Sequence, residues 1–297
     1  MTNVRILTNP ATKDRKPQAT RPASIGLEGI PVILEVIEYL TTPCSWTARK
    51  LGYLNGQLGI KVRHRQCRRA WQGHLERTRN VIRAAILDCP QRRKAVVLGS
   101  GLLLDVPLSD LSATFDEVIL VDVVHPLSAY LTARWYRNVK LIRADVTATA
   151  AELARAAKDP SIPLPHAVPQ MFCDDPLVDY VVSVNLLSQL PYVPSHYLEK
   201  TSRPHAEAEA YGRDLIESHL DYVRRLPGVV TLITDVEKLK VDRTGAIIDR
   251  YDILYGATLC WPATEWQWEH VPLGHVSPDF AYHRRVCAVK NVKTPVG

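Results

Sequence analysis

Residues 95–122 read AVVLGSGLLLDVPLSDLSATFDEVILVD. An apolar run, Ala95 to Leu98, enters a Gly99-Ser100-Gly101 turn. A short helical segment opened by Pro107 comes next, and a second apolar run from Glu117 to Val121 ends on Asp122. Strand, glycine turn, helix, and a second strand with a carboxylate at its tip make a unit that binds the adenosine end of a cofactor. The glycines let the backbone come close to a ligand, and the terminal carboxylate accepts hydrogen bonds from ribose hydroxyls.

Outward from this stretch, strand and helix patterns alternate. Strands are predicted at 95–98, 117–122, 139–143, 179–184 and 229–235, and helices at 107–114, 126–135, 148–157 and 205–226. That alternation implies an α/β fold: a Rossmann-like, doubly wound, mostly parallel sheet with helices on both faces. Residues 246–255, 264–271 and 281–290 alternate in polarity or carry aromatics, and no helix separates the last two. They are expected as an antiparallel hairpin at a sheet edge. Trp266 and Trp268 share one side of their strand, either packing on the sheet or walling an aromatic pocket. The proline-rich segment 159–176 is expected to be a surface loop.

The N-terminal third has a different character. Residues 1–24 are polar and proline-bearing and are expected as a flexible tail. Residues 25–90 read as an N-terminal helical subdomain, and 91–297 as the cofactor-binding domain. Ile33, Val36, Ile37 and Leu40 form one apolar face, and Pro43 ends that helix; Gly52, Gly56 and Gly59 loosen the segment after it. The next helix runs from about Cys67 to Leu87, with Trp71, Leu75, Thr78, Ile82, Ala85 and Ile86 on one stripe and Arg68, Arg69, Arg79 and Arg83 largely off it. Residues 1–94 hold 18 Lys and Arg against 6 Asp and Glu, whereas residues 95–297 hold 19 against 25. A basic N-terminal part favours acidic partners, whether RNA, anionic lipid, or a phosphorylated or carboxylated small molecule.

No run approaches the roughly 18 apolar residues of a spanning helix, and the N-terminus has no apolar segment of signal-peptide length. The six cysteines form no CxxC pair. They read as reduced thiols of a cytoplasmic protein, and no metal site is expected.

The stretch from about 94 to 290 resembles the class I S-adenosylmethionine-dependent methyltransferases. Leu98-Gly99-Ser100-Gly101 looks like that family's first motif, Asp122 matches its ribose-binding acid, and Asp145 stands after the third strand, where the family places a polar group against adenine. The resemblance implies S-adenosyl-L-methionine as cofactor, a seven-stranded sheet, and a cofactor site of Gly99, Ser100, Gly101, Asp122, Val123, Asp145, Val146 and Asn185. A nicotinamide or flavin cofactor fits less well. The third glycine of G-x-G-x-x-G would fall at Leu104, and the carboxylate of Asp105 would repel a diphosphate. One departure is Val97, where many family members carry an acid.

Substrates of open α/β sheets sit beyond the carboxyl ends of the strands. That makes Asn185 and Gln189, at the exit of the fourth strand, catalytic candidates. Asn185 is equally readable as a helix cap. His196 and His205, further along, are candidate bases for a hydroxyl acceptor, while His125 is expected nearer the adenosine. The absence of an Asn/Asp-Pro-Pro-Tyr/Phe pattern at Asn185 argues against amide or adenine nitrogen as acceptor. Arg65, Arg68 and Arg69 are expected to bind an acidic substrate through their bidentate forks. The resulting expectation is methyl transfer to a small, acidic molecule. An RNA methyltransferase and a non-catalytic methyltransferase-fold module are the alternatives.

Overall fold

The computed structural model describes residues 38–294 of the 297-residue chain. The expected tail 1–24 and the apolar positions Ile33, Val36 and Ile37 lie outside the described residues. Among the described residues, a helical stretch at 38–41 precedes helices α1 (Trp46–Leu51), α2 (Tyr53–Gln66) and α3 (Arg68–Ile86). Then strands β1 (Lys94–Leu98), β2 (Glu117–Asp122), β3 (Val139–Arg143) and β4 (Val178–Val184) alternate with α4 (Leu108–Thr114), α5 (Leu127–Ala133) and α6 (Ala150–Ala156). A 3-10 turn at Leu187–Gln189, α7 (Tyr192–Leu198) and α8 (His205–Arg225) lead into β5 (Val229–Asp242), followed by β6 (Ile247–Asp252), β7 (Thr264–Val271) and β8 (Phe280–Val289).

The strands run in the order β3-β2-β1-β4-β5-β8-β7. The first five are parallel; β8 runs antiparallel to both β5 and β7. These are the mostly parallel sheet and antiparallel C-terminal hairpin that the sequence implied. An eighth strand, β6, pairs with β5 alone, off that path. β5 continues past its last pair with β4, at Ile233, to Asp242 through a bulge between Asp235 and Glu237, and β6 takes the edge that β4 leaves there while β8 stays paired on the other.

Alternation along β1 builds two cores. Val96 and Leu98 face one way, into a cluster with Leu153 of α6 and Leu215 and Ile216 of α8. Ala95 and Val97 face the other way, with Leu111 of α4 and Ile82, Ala85 and Ile86 of α3. Side chains of period 2 between two helical layers require near-continuous apolar strands, and all seven residues of β4 are buried. The predicted stripe of α3 is buried as a stripe, but against this sheet, so α3 shares its core with β1 rather than with a separate helical unit. Ile82 is completely buried. Ile82→Val is therefore expected to lower the stability of the whole chain by about 1 kcal/mol, read as one cooperative shift of the denaturation midpoint; a shift confined to a separate N-terminal transition would contradict this packing.

Helix α2 begins in the stretch 27–60, which reads as helical and broken, and α7 was not apparent in the sequence. Gly56 and Gly59 suggested a loosened segment, yet α2 runs for 14 residues with only Leu54 buried. A Cβ at Gly56 would meet Val193 Cγ2 of α7 at 3.7 Å, an ordinary van der Waals contact, so the helix tolerates this glycine without requiring it. Proline-bearing α7 had no periodic signature to announce it.

Candidate functional site

β1 lies between β2 and β4, so the connections after its end diverge to either side. Such a switch point leaves a crevice beyond the strand ends. Leu98 pairs with Val121 and Ser183, and Asp122 with Arg143, which brings the ends of four strands level. With α1 and α2 above them they enclose a cavity of about 550 Å³, within the range of about 300–1,000 Å³ typical of small-molecule sites.

One half of the cavity is built on the glycine turn. Gly99 has φ +81°, and a Cβ there would sit 2.9 Å from both Val184 O and Leu186 Cβ. Gly101 has φ +41°, and a Cβ would sit 2.9 Å from Gln57 Nε2, so backbone is exposed where a side chain would fill the space. The Asp122 carboxylate accepts from Gly101 N–H at 2.8 Å and from Val124 N–H at 3.3 Å. Burial nonetheless pushes its pKa up to about 6, those backbone N–H groups opposing the shift. Asp145 accepts from Thr147 N–H, Thr147 Oγ1, Thr149 N–H and Ala150 N–H between 2.7 and 3.0 Å, holding the turn into α6. Gln57 of α2 crosses above and donates to Val124 O at 3.2 Å.

Val123, Val146 and Ser100 line the same half. The Ser100 hydroxyl is within 3.0 Å of His125 Nε2. His125 is fully buried behind the turn and is not part of the cavity wall. Burial lowers its pKa to about 4, so it is neutral near pH 7.

Asn185 marks the boundary with the second half. Its φ of +49° turns the chain sharply out of β4. Its side chain does not cap the following turn; instead Nδ2 donates to Asp105 Oδ2 at 2.6 Å and lies 3.4 Å from His74 Nε2. Trp266 Nε1 approaches His74 Nδ1 at 3.2 Å. Indole N–H can only donate, so Nδ1 accepts; burial lowers the His74 pKa to about 3, so the ring is neutral and its single proton is on Nε2. That N–H faces another donor and has no acceptor among the described residues. Asn185 Oδ1 is likewise buried and unpartnered. Burial raises the Asp105 pKa, opposed by the hydrogen bond from Asn185.

Beyond Asn185 the wall is aromatic and basic. Trp268 stacks on His74 at 4.0 Å between centroids, and Trp71 meets Trp268 edge-on at 4.9 Å. Trp71 Nε1 donates to His270 O at 2.9 Å, tying α3 to β7. Arg63 and Arg284 line this end, and Arg284 pairs with Asp235 at 3.2 Å. Trp266 and Trp268 thus divide the two roles foreseen for them: Trp266 is buried against the sheet, and Trp268 walls the cavity.

Among the other residues singled out from sequence, Gln189 and His196 reach the cavity; Gln189 Nε2 donates to Asn185 O at 2.6 Å. The His196 ring is exposed at the rim, 3.4 Å from Glu199. His205 is not in the wall; its exposed ring lies 3.6 Å from Glu209 along α8. Arg65, Arg68 and Arg69 are exposed and none lines the cavity, whereas Arg63, two residues earlier on α2, does. Side chains on a helix share a face at spacings of three and four, so a cluster of arginines does not act as a unit. Gln57, Arg63, His74, His270 and Arg284 were missed because tertiary folding alone brings them together. One local signal was present: His74 interrupts the apolar stripe of α3 and is 3 % exposed, and a buried polar group needs a reason.

Among the described residues no His, Cys, Asp and Glu cluster suits a metal, and no helix is long and apolar enough to cross a membrane. All six cysteines are free, Cys67, Cys89 and Cys287 buried.

The glycine cradle, the carboxylate at the tip of β2 and the unpartnered Asn185 Oδ1 fit S-adenosylmethionine: open backbone for the methionine part, Asp122 for the ribose, and a polar group where the adenosine and acceptor halves meet. No family model and no curated protein matches the chain. Solved structures with a similar chain path include the N-methyltransferase NodS from Bradyrhizobium japonicum in complex with S-adenosyl-L-homocysteine (13% identity, 73% of this chain and 87% of that one, TM-score 0.34). Another is the 1,6-didemethyltoxoflavin-N1-methyltransferase of Burkholderia thailandensis (12%, 83% and 91%, 0.33). A third is the 23S rRNA methyltransferase ErmE (12%, 73% and 71%, 0.28). At such identities and TM-scores, the functional reading rests on this chain's own residues.

Proposed function

We propose that the protein is an S-adenosylmethionine-dependent methyltransferase acting on a small, acidic molecule. The carrying observation is the joining, in one cavity, of the Gly99–Gly101 cradle and Asp122 to an aromatic, arginine-bearing end across Asn185. The bound cofactor would supply an electrophilic methyl group on a sulfonium. The chain's own work is then to hold, align and dry the reacting pair. Asp122 would accept from the ribose hydroxyls, and the Gly101 backbone would approach the methionine part. Asp145, with its oxygens engaged by the turn into α6, would act on adenine mainly by shaping the pocket with Val123 and Val146. Asn185 and Gln189 would order the boundary at which the methyl group passes.

Asp105 is the better-placed base for a hydroxyl acceptor, since His74 holds its proton on the nitrogen facing the site. His196, at the exposed rim, is placed to act on an entering substrate instead.

Incubation with methyl-labelled cofactor and a cell extract tests this reading. Label is expected in the small-acid fraction. Label appearing in RNA would favour the nucleic-acid alternative, and no transfer to any fraction would favour a non-catalytic module.

The titration of Asp122 adds a pH test. The ribose requires the ionised carboxylate, so affinity for S-adenosylhomocysteine is expected to fall about tenfold per unit below pH 6 and to level off above it. Its effect on folding has the opposite sense. A carboxyl whose pKa is higher folded than unfolded stabilises fully below its unfolded value of about 4, and that contribution is lost as pH rises through about 6. Calorimetric titration and thermal unfolding across pH 4–8 check the two arms. Affinity independent of pH would remove Asp122 from the ribose site.

A further inference from the structure

We propose that Gln57 of α2 is a second ribose-binding residue, donating to the same cofactor hydroxyl that donates to Asp122, so that the site selects a ribonucleoside over its deoxy forms. This rests on the methyltransferase reading above and adds to it a residue that neither the glycine turn nor the strand tip supplies. The packing of α2 fixes where this side chain lies. Leu54 is almost completely buried in a cluster with Val124, and Leu58 and Val123 pack against the same cluster. Positions three apart on a helix share a face, so Gln57 comes down over the tip of β2 with Leu54. It lines the cavity, and its Nε2 donates to Val124 O at 3.2 Å. Val124 N–H in turn donates to Asp122 Oδ1 at 3.3 Å, so one residue positions both side chains.

The two groups flank one place above the Gly101 backbone. The position that a Cβ of Gly101 would take is 2.9 Å from Gln57 Nε2 and 3.5 Å from Asp122 Oδ2. They are not hydrogen-bonded to each other; each is tied to backbone instead. An amide NH2 carries two protons. One proton of Gln57 is on Val124 O, and the other has no acceptor among the described residues. An ionised carboxylate only accepts, and an amide NH2 only donates. The ligand group that answers both at once is a hydroxyl, which gives its proton to Asp122 and takes one from Gln57. A carboxylate or phosphate in that place would meet Asp122 as like charge, and an ammonium group would meet the Gln57 donor with another donor. A ribose hydroxyl is therefore the part of the cofactor that this pair fits.

Calorimetric titration of the full chain with S-adenosylhomocysteine and its 2′-deoxy and 3′-deoxy analogues tests the assignment. The parent is compared with Gln57→Leu, which keeps most of the bulk of the side chain but has no N–H. The parent is expected to bind S-adenosylhomocysteine about tenfold or more tightly than at least one analogue, the loss of a hydroxyl that both side chains answer. Gln57→Leu is expected to weaken S-adenosylhomocysteine binding about threefold to tenfold, the net loss of one hydrogen bond. It is expected to leave the affinity for that analogue unchanged, because the hydroxyl that Gln57 answers is already missing there. Gln57→Glu sets an acceptor beside Asp122 in place of the donor and is expected to weaken S-adenosylhomocysteine binding further than Gln57→Leu. Gln66→Ala, at the exposed end of α2 and outside the cavity wall, is expected to bind all three ligands as the parent does. An equal loss across all three ligands in Gln57→Leu would make Gln57 a packing residue and overturn the proposal. Full affinity for S-adenosylhomocysteine in that variant would overturn it as well. Both outcomes leave the methyltransferase reading intact, whereas a parent that binds none of the three ligands would sink that reading and this proposal with it.

Discussion

Replacing Asp122 with alanine is expected to weaken S-adenosylhomocysteine binding by about 10- to 100-fold. The carboxylate stands at the tip of β2, where two ribose hydroxyls would donate to it. A hydrogen bond to a charged group contributes about 1.5–3 kcal/mol, and about 1.4 kcal/mol is a factor of ten. The same oxygens hold Gly101 N–H at 2.8 Å and Val124 N–H at 3.3 Å. Part of the loss will therefore arrive through a looser glycine turn. Asp122→Asn separates the contributions: it keeps one acceptor oxygen and about the same volume, and should recover some affinity. Calorimetry on both variants, with thermal unfolding as control, is the check. An Asp122→Ala protein that binds as tightly as the parent would move the ribose elsewhere.

Gly99→Ala should act on fold and site together. A non-glycine residue at φ +81° costs about 1–2 kcal/mol. The added Cβ would also stand 2.9 Å from the carbonyl of Val184 and from Leu186 Cβ, which belong to the strand end and the turn that carry Asn185. Those groups are anchored, because Asn185 N–H donates to Ile233 O at 2.8 Å. Overpacking of this kind adds about 1–3 kcal/mol. A total loss of about 2–5 kcal/mol of stability is expected, by denaturant titration, with cofactor affinity reduced in the protein that remains folded. A stability change below about 0.5 kcal/mol, the size of an ordinary surface substitution, would mean that the turn can open without cost and is not the rigid cradle described.

The parallel half of the sheet was readable residue by residue, because buried strands flanked by helices have no choice but continuous apolar runs. Strands β1, β2 and β3 begin and end within one residue of where composition placed them. Composition ends β5 at 235, because Glu237, Lys238 and Lys240 break its apolar character. The bulge at Asp235/Glu237 shows why the pattern changes there: beyond it the strand leaves the two-sided core and pairs with exposed β6. Helix α2 read as broken for the opposite reason, having little buried surface and two glycines to weaken its propensity.

The site divides along the same line. The half proposed to hold the cofactor, Gly99, Gly101, Asp122, Val123, Asp145 and Val146, lies at the ends of consecutive βα units, where the glycine turn and the strand-tip acid are legible in the sequence and the family resemblance implies the rest. The other half of the cavity is assembled from α2, α3, β7 and β8, elements from opposite ends of the chain. Only the histidine inside the α3 stripe and the paired tryptophans of β7 hinted at it. The arginines chosen from sequence were the densest cluster rather than the ones on the inward face.

The most direct test of the account is calorimetric titration of the purified chain with S-adenosylhomocysteine and, in parallel, with NADH. One molecule of S-adenosylhomocysteine bound per chain, abolished or strongly weakened in Asp122→Ala, and no heat with NADH is the expected result. Binding of NADH without binding of S-adenosylhomocysteine would contradict the account at its centre, since the glycine turn would then be serving a dinucleotide.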